Sequence, residues 1–168
     1  MPARGQYVLA HPDPGDTLAT ALHELIPVEA VVLDLVGETK DEVLEELVTK
    51  LALTDEAHLA VRRVLDEREA KGSTGVGHGV AIPHARCDEM EALRMAYGRK
   101  PAGIDWDAND GEPVHHVFLI LAPPIHVSNK YLQVMGNVAG LVRESAVRDQ
   151  LDAVTDTDEF MELLQAQK

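Results

Sequence analysis

The chain has 168 residues, of which 45% are hydrophobic and 26% are charged, a composition typical of one globular domain. It carries 15 Lys and Arg against 29 Asp and Glu, and the resulting net charge of −14 disfavours binding to nucleic acid or to an anionic membrane surface. The single cysteine, Cys87, excludes an intramolecular disulfide framework, and no apolar stretch approaches the roughly 18 residues of a membrane span. We therefore expect a cytoplasmic protein that does not insert into membranes.

The first predicted elements along the chain are an extension and a short strand. Residues 1–17 contain a His-Pro-Asp-Pro-Gly run and no hydrophobic periodicity, which predicts an N-terminal extension followed by one domain over residues 18–168. The stretch from Val31 to Leu35 is rich in β-branched residues and leucine, and such runs are typical of strands.

Two helices with recognisable N-terminal caps are predicted next. Thr39, with Glu42 three residues later, matches a capping box, and Thr54 is a second candidate N-cap. Gly72 suits the C-terminal end of the second helix. The apolar residues of each helix fall on one face, namely Val43, Leu44, Leu47, Val48 and Leu51 in the first helix, and Ala57, Ala60, Val61, Val64 and Leu65 in the second.

The second half of the chain alternates predicted strands with predicted helices. Strands are expected over Leu93 to Tyr97 and over Val114 to Ala122, and Ser128 is a candidate cap for a third helix. The inner face of that helix is predicted to consist of Leu132, Met135, Val138, Ala139 and Val142. Two short helices are predicted near 145–153 and after Thr157. This alternation predicts an α/β fold with helices on both faces of one sheet.

The centre of the chain, from Gly72 to His84, is rich in glycine, serine and threonine. Its spacing does not match the dinucleotide fingerprint, and in the P-loop a lysine would stand where this chain has His78. No Gly-x-Ser-x-Gly elbow surrounds Ser73. The enzyme classes that carry a dinucleotide fingerprint, a P-loop or a Gly-x-Ser-x-Gly elbow are therefore disfavoured. A short apolar strand is predicted to end this segment at Pro83 and the following histidine.

A glycine-rich loop that leads into a histidine suits phosphoryl chemistry. Glycines such as Gly75 and Gly77 let backbone N–H groups approach an anion, and the hydroxyls of Ser73 and Thr74 can donate hydrogen bonds to it. A neutral imidazole at His84 is a competent nucleophile near neutral pH, because its ordinary pKa is about 6.5. The residues alone leave a second interpretation open, a surface turn followed by an ordinary histidine at the end of a strand.

The segment from Arg68 to Arg86 closely resembles the active-site signature of enzyme IIA in the bacterial phosphoenolpyruvate-dependent phosphotransferase system. The branch that it resembles is the fructose/mannitol type, which includes the nitrogen-regulatory form. The sequence Gly-Ile-Asp-Trp-Asp at 103–107, the run at 110–114 and the strand Val117 to Pro123 are similar to the next block of that family. The resemblance extends over about residues 20–168.

The resemblance implies a three-layer α/β/α fold with a mixed central sheet. It also implies that His84 accepts a phosphoryl group from the phosphocarrier HPr or its nitrogen-branch counterpart, and passes it to a IIB domain or uses it in regulation. Arg68 would neutralise the charge of the moving phosphoryl group, the alternative being an exposed cation at a helix end. Ser73 and Thr74 would donate to the phosphoryl group or merely form the turn. No cofactor and no metal are expected.

One position departs from the family pattern. The family usually carries a second active-site histidine, in a His-Leu pair, at the start of the helix after the Val117–Pro123 strand, and the matching pair here is Tyr131–Leu132. A phenol can donate a hydrogen bond to phosphate but stays neutral below a pKa of about 10, so it cannot replace an imidazolium. His126 can replace the second histidine of the family only if its loop bends back towards the site. A IIA-like regulatory module that binds a partner without relaying phosphate is therefore the rival interpretation.

The remaining histidines and the cysteine give weaker signals. A zinc site formed by His78, His84 and either His115 or His116 would match no known ligand spacing. The two adjacent histidines point to opposite faces of their predicted strand, so only one of them can approach His84. Cys87 is expected to be a small packed residue, since no base is adjacent to it.

Overall fold

The architecture is a six-stranded sheet with helices packed around it, described for residues 21–167 by a computed structural model. The strands are β1 (Val31–Val32), β2 (Gly75–Gly77), β3 (Val80–Ala81), β4 (His84–Arg86), β5 (Arg94–Ile104) and β6 (Val114–Ala122). The helices are α1 (Leu22–Leu25), α2 (Lys40–Lys50), α3 (Asp55–Ala70), α4 (Tyr131–Arg143), α5 (Ser145–Ala153) and α6 (Thr157–Ala166), with a 3₁₀ turn at Val28–Ala30. The predicted extension, residues 1–17, and its boundary with the domain lie outside the described residues.

The sheet is built around β6. The strand order is β1-β5-β6-β3-β2, and β4 also pairs with β6, further along the strand than β3 does. The pairs β1–β5, β3–β6 and β4–β6 are parallel, whereas β2–β3 and β5–β6 are antiparallel. Nearly every residue of β6 is buried, which requires cover on both faces of the sheet. The predicted three-layer α/β/α fold with a mixed sheet is confirmed.

The first two long helices begin where their caps predict. The hydroxyl of Thr39 accepts from the N–H of Glu42, and that of Thr54 accepts from the N–H of Ala57, both at 3.2 Å. Every residue predicted for the inner face of α2 and its C-cap is buried, and in α3 the predicted face is buried or packed against the core. None of the helices within residues 21–167 is long and apolar enough to cross a membrane.

The strands around the glycine-rich centre differ from their predicted bounds. The strand predicted from Val31 to Leu35 has only two regular residues, although the N–H of Leu35 still donates to the carbonyl of Arg99 in β5 at 2.9 Å. Beyond it, the N–H groups of Val36 and Gly37 bind the Glu46 carboxylate. The strand predicted to end at Tyr97 continues to residue 104, because pairing with β6 extends to Arg99 and resumes at Ile104 after an irregular stretch.

The glycine-rich segment itself forms strands that the sequence did not predict. Residues Gly75–Gly77 form β2, which pairs with β3 as a hairpin, and the apolar strand stops at Ala81. His84 begins β4 and does not end the preceding strand, because the chain resumes pairing with β6 after Pro83.

Helix α4 shows two further corrections. Leu132, predicted to face inward, is 75% exposed, and the buried residues are Val134, Val138 and Val142, which recur every four positions. The N-cap is the residue before the helix, Lys130, and not Ser128, whose hydroxyl accepts from the Lys130 N–H inside the preceding turn. The helices predicted near 145–153 and after Thr157 are confirmed as α5 and α6.

A buried polar chain joins the sheet to the end of α5. The hydroxyl of Tyr97 donates to Nδ1 of His116 at 2.7 Å, and Nε2 of that ring donates to the Asp152 carboxylate at 2.8 Å. Arg99 binds the carbonyl of Val154 at 2.7 Å, just beyond the same helix. Burial lowers the pKa of His116, although the Asp152 charge raises it. The ring is therefore neutral near pH 7 in the folded protein.

Replacing His116 by glutamine should reduce the loss in the free energy of unfolding as the pH becomes acidic. Because the folded pKa of His116 is lowered, the unfolded chain binds its proton more readily, and stability is lost as the pH falls through about 6.5. Glutamine keeps one donor and one acceptor but does not titrate. Denaturant unfolding from about pH 7.5 to about pH 5 should show the wild type losing up to about 1.4 kcal/mol per pH unit more than His116→Gln. Parallel profiles would contradict this prediction.

Candidate functional site

His84 is the first residue of β4 and is paired with Ile120 of the central strand. Its ring is half-buried, and Nδ1 lies 2.7 Å from the carbonyl oxygen of Ile82. Because a carbonyl oxygen can only accept, the ring proton sits on Nδ1 and the lone pair of the neutral imidazole is on Nε2. The Ile82 carbonyl is thus the acceptor that fixes the tautomer of the His84 ring.

The surroundings of His84 keep its ring neutral. Burial is the largest effect and lowers the pKa of the ring below the ordinary value of 6.5. The hydrogen bond to Ile82 and the charge of Glu69 oppose this shift, whereas the charge of Arg68 adds to it. The net pKa is lowered, so Nε2 carries an available lone pair at neutral pH and is suited to act as a nucleophile.

The turn before His84 is anchored by an acidic side chain that is itself nearly buried. The carboxylate of Glu69 accepts from the hydroxyl of Thr74 and, at 3.0 Å, from Nζ of Lys40. Thr74 is 3% exposed, and its hydroxyl also accepts from the indole N–H of Trp106 at 3.0 Å. The carbonyl of Thr74 in turn binds the N–H of Ile82 at 3.0 Å. This network therefore reaches the residue whose carbonyl holds the histidine ring.

The predicted phosphoryl-loop residues have partners within the protein. The hydroxyl of Ser73 donates to the carbonyl of Trp106 at 2.7 Å and accepts from the N–H of Gly75 at 3.0 Å. The Thr74 hydroxyl belongs to the buried network just described. A Cβ at Gly75 would lie 2.7 Å from Cβ of Ala108, so the close packing of this turn requires glycine. In this structure these side chains shape the turn.

The tip of the β2–β3 hairpin lies away from His84. Gly77 and the two residues after it have positive φ angles of 92°, 58° and 76°, which reverse the chain. The register places Gly77 level with His116 of β6, whereas His84 is level with Ile120. At roughly 3.3 Å per residue, the two levels are about 13 Å apart along the strand. The tip of the predicted loop is therefore displaced along the sheet from the histidine.

His78 is exposed at the tip of the hairpin, and His115, His116 and Cys87 are engaged elsewhere. Nδ1 of His115 donates to the carbonyl of Lys100 at 3.1 Å. His116 belongs to the buried series of hydrogen bonds that ends at Asp152 of α5. Cys87 is buried as expected, and its thiol donates to the Glu89 carboxylate at 3.1 Å. Within residues 21–167 no three His, Cys, Asp or Glu side chains are grouped as metal ligands would be.

Arg68 supplies a cation whose charge acts on the histidine. It lies in the last turn of α3, and its Nη1 donates to the carbonyl of Gly72 at 2.9 Å. Its charge lowers the pKa of both His84 and Tyr131. The guanidinium is therefore within electrostatic reach of both rings.

Tyr131 packs directly against His84. The two ring centroids are 5.9 Å apart and the ring planes are inclined by 60°. The guanidinium carbon of Arg86 lies 4.7 Å from the centroid of the tyrosine ring, within cation–π distance. Burial raises the pKa of Tyr131 to about 12, against the opposing charges of Arg86 and Arg68. The phenol is therefore neutral at any physiological pH.

The structure brings Tyr131, and not His126, into contact with the histidine. His126 is exposed in the loop before α4 and has no hydrogen bond, ion pair or ring contact with the residues described. Sequence reasoning also missed Glu69. A signal for it exists, because Glu69 follows Val61 and Leu65 at four-residue spacing and so lies on the buried face of α3.

Replacing Arg68 by glutamine should raise the pKa of His84. The substitution removes a positive charge that disfavours the imidazolium, while burial of the ring remains, so the pKa should rise but stay at or below the ordinary value. Histidine titration followed by NMR measures the shift and identifies the Nδ1–H tautomer. The matched control is Arg63→Gln, an exposed arginine on the same helix. An unchanged pKa in Arg68→Gln would contradict the assigned proximity.

Comparison with known proteins gives concordant matches. The family model described as phosphoenolpyruvate-dependent sugar phosphotransferase system, EIIA 2, matches residues 24–167. A nitrogen regulatory protein of Bradyrhizobium diazoefficiens is 35% identical over 142 residues, which cover 84% of this chain and 92% of that protein. A fructose-specific EIIA component of the phosphotransferase system from Haloferax volcanii is 31% identical over 135 residues, or 79% of this chain and 86% of that protein.

Solved structures show the same relationship. The crystal structure of nitrogen regulatory protein IIA-Ntr from Neisseria meningitidis matches with a TM-score of 0.77 and 32% identity, and covers 84% of this chain and 97% of that one. IIA mannitol from Escherichia coli matches with a TM-score of 0.66 at 22% identity over 82% of this chain and 97% of that one, which shows the shared fold alone. The resemblance seen in the sequence is confirmed, and the chain belongs to the EIIA 2 family of the phosphoenolpyruvate-dependent sugar phosphotransferase system.

Proposed function

We propose that this protein is a phosphocarrier and that Nε2 of His84 is its phosphoryl acceptor. The donor is the phosphocarrier HPr or its nitrogen-branch counterpart, and the next acceptor is a IIB domain, unless the phosphoryl group serves to regulate a target protein. The observation that carries the proposal is the bond from Nδ1 to the Ile82 carbonyl, which leaves a lone pair on Nε2 of a neutral, half-buried ring.

The transfer is a displacement at phosphorus. The Nε2 lone pair forms the new N–P bond, and the bond between phosphorus and the donor breaks with its electron pair left on the donor. The proton stays on Nδ1 of His84 throughout. Positive charge that develops on the phosphorylated ring is stabilised by the Ile82 carbonyl, since a hydrogen bond from a charged donor is stronger than one from a neutral donor.

The remaining site residues divide into a charge-stabilising residue and a scaffold. Arg68 neutralises the phosphoryl group, which is consistent with its electrostatic effect on the ring. For Ser73 and Thr74 we favour the turn-forming alternative, because their hydroxyls are bound within the protein. Gly75 has the same role through close packing, and Gly77 turns the hairpin. No metal or cofactor takes part in the proposed transfer.

The proposed phosphocarrier domain spans residues 18–168, and its proposed location is the cytoplasm. The match of the family model to residues 24–167 supports this extent. The net charge of −14 favours a basic face on the protein that docks with it, because opposite charges accelerate encounter. Raised salt should slow that encounter.

Replacing His84 by asparagine should abolish acid-labile phosphorylation. The variant lacks the nucleophilic nitrogen, so incubation with labelled phosphoenolpyruvate, enzyme I and HPr should leave it unlabelled, whereas the wild type acquires one phosphoryl group per chain. The control His126→Asn should be labelled like the wild type, because His126 is exposed and makes no hydrogen bond, ion pair or ring contact with a described residue. An unlabelled wild type, or a labelled His84→Asn variant, would refute the proposal.

A regulatory role without onward transfer is the second candidate function, because the neutral Tyr131 stands where the family usually has a second histidine. The two functions differ in what happens to labelled His84 when a fructose-type IIB domain is added. A relay passes the label to the IIB domain, and the label should then pass faster from Tyr131→His than from the wild type. A regulatory module retains its label, and it keeps its partner when His84 is replaced by alanine.

A further inference from the structure

Tyr131 is in contact with His84, and the proposed phosphoryl transfer does not yet assign it a role. The half-buried ring belongs to the first residue of α4, and its hydroxyl makes no hydrogen bond with any residue between 21 and 167. The charges of both Arg68 and Arg86 act on this hydroxyl, since each of them lowers its pKa. A protonated hydroxyl without a protein partner, in the field of two guanidinium groups, is suited to bind an anion.

Arg86 holds the tyrosine ring in place. Its Nη1 donates to the carbonyls of Pro123 at 2.7 Å and Ser128 at 3.2 Å, so it ties the loop before α4 to β4. The guanidinium also stacks on the ring of Tyr131. Arg86 and His84 are two residues apart on β4 and therefore face the same side of the strand. One strand thus carries both the histidine and the residue that positions its neighbour.

We propose that the hydroxyl of Tyr131 donates a hydrogen bond to an oxygen of the phosphoryl group on Nε2 of His84, and that Arg86 is the positioning residue for this donor. The inference rests on the proposed function and adds a second binding residue to the same site. No bond to Tyr131 forms or breaks during transfer. The phenol keeps its proton and so supplies a hydrogen bond without adding positive charge, which distinguishes it from an imidazolium.

Tyr131→Phe isolates the hydroxyl, because it leaves the ring that packs on His84 and on Arg86. The full-length proteins are equilibrated with known ratios of phosphorylated to free HPr, and the fraction of phosphohistidine is measured by ³¹P NMR. Loss of a hydrogen bond to a charged group should shift this equilibrium about 10- to 100-fold towards the unphosphorylated protein. The pKa of His84 in the unphosphorylated protein should stay the same, since its burial and neighbouring charges are retained.

The matched control is Tyr97→Phe, which removes a tyrosine hydroxyl remote from the site. That hydroxyl binds His116 in the core, so the control should lower the melting temperature yet leave the phosphorylation equilibrium within twofold of the wild type, a tolerance of about 0.4 kcal/mol. A purely structural effect of losing a hydroxyl would appear in this control as well.

Arg86→Lys tests the positioning role, because it keeps the charge but loses the guanidinium that lies over the ring. It should shift the equilibrium in the same direction as Tyr131→Phe, and it should add little in the Tyr131→Phe background, since Arg86 acts through the hydroxyl. Additive effects of the two substitutions would overturn this positioning role.

Two outcomes separate the inference from the function on which it rests. A wild type that is phosphorylated to the same extent as Tyr131→Phe overturns the inference and leaves the proposed phosphocarrier intact. A wild type that is not phosphorylated at all overturns both.

Discussion

The parallel pairing of β4 with β6 is the constraint on which the rest of the site depends. β6 is buried along its length, and its Ile120 N–H binds the carbonyl of Pro83 at 2.9 Å, so the backbone immediately before His84 is fixed to the centre of the sheet. Ile82 is fixed from the other side by the carbonyl of Thr74. Because Ile82 and Pro83 are both held in place, the carbonyl of Ile82 accepts a hydrogen bond from Nδ1 of His84. This single hydrogen bond determines the tautomer of the ring.

The electrostatics of the site show how a strongly acidic protein can prepare to bind an anion. Glu69 is the acidic side chain that acts on His84, and its carboxylate is satisfied by Lys40 and by the hydroxyl of Thr74. Because these partners satisfy the nearly buried carboxylate, it holds the turn together without the cost of burying an unpaired charge. Arg86 contacts the ring of Tyr131 and the charge of Arg68 acts on both rings, so positive charge is present at the site although the net charge of the chain is −14.

The fold was largely predictable where a local pattern carries its own physical cause. Thr39 and Thr54 cap helices because their hydroxyls accept hydrogen bonds from N–H groups three residues later. This local spacing can be recognised from the sequence alone. Prediction was wrong where the partner is distant. Leu132 satisfies the helical period but faces solvent, because the rotation of α4 against the sheet is set by Val134, Val138 and Val142. The segment after β1 leaves the sheet where the N–H groups of Val36 and Gly37 bind Glu46, which belongs to α2.

The sequence by itself determined the family, the α/β class and the identity of the candidate nucleophile, because the Gly72–His84 segment and its flanking arginines are continuous in the chain. It also identified Tyr131 as the position that departs from the family pattern. Only the tertiary structure decided which nitrogen of His84 is free, that the hydroxyls of Ser73 and Thr74 are occupied, and that Tyr131 contacts the histidine within the field of two arginines. The physical reason is that hydrogen bonding, burial and charge act between atoms that are close in space, and the residues concerned are separated by up to 63 positions along the chain, from Arg68 to Tyr131.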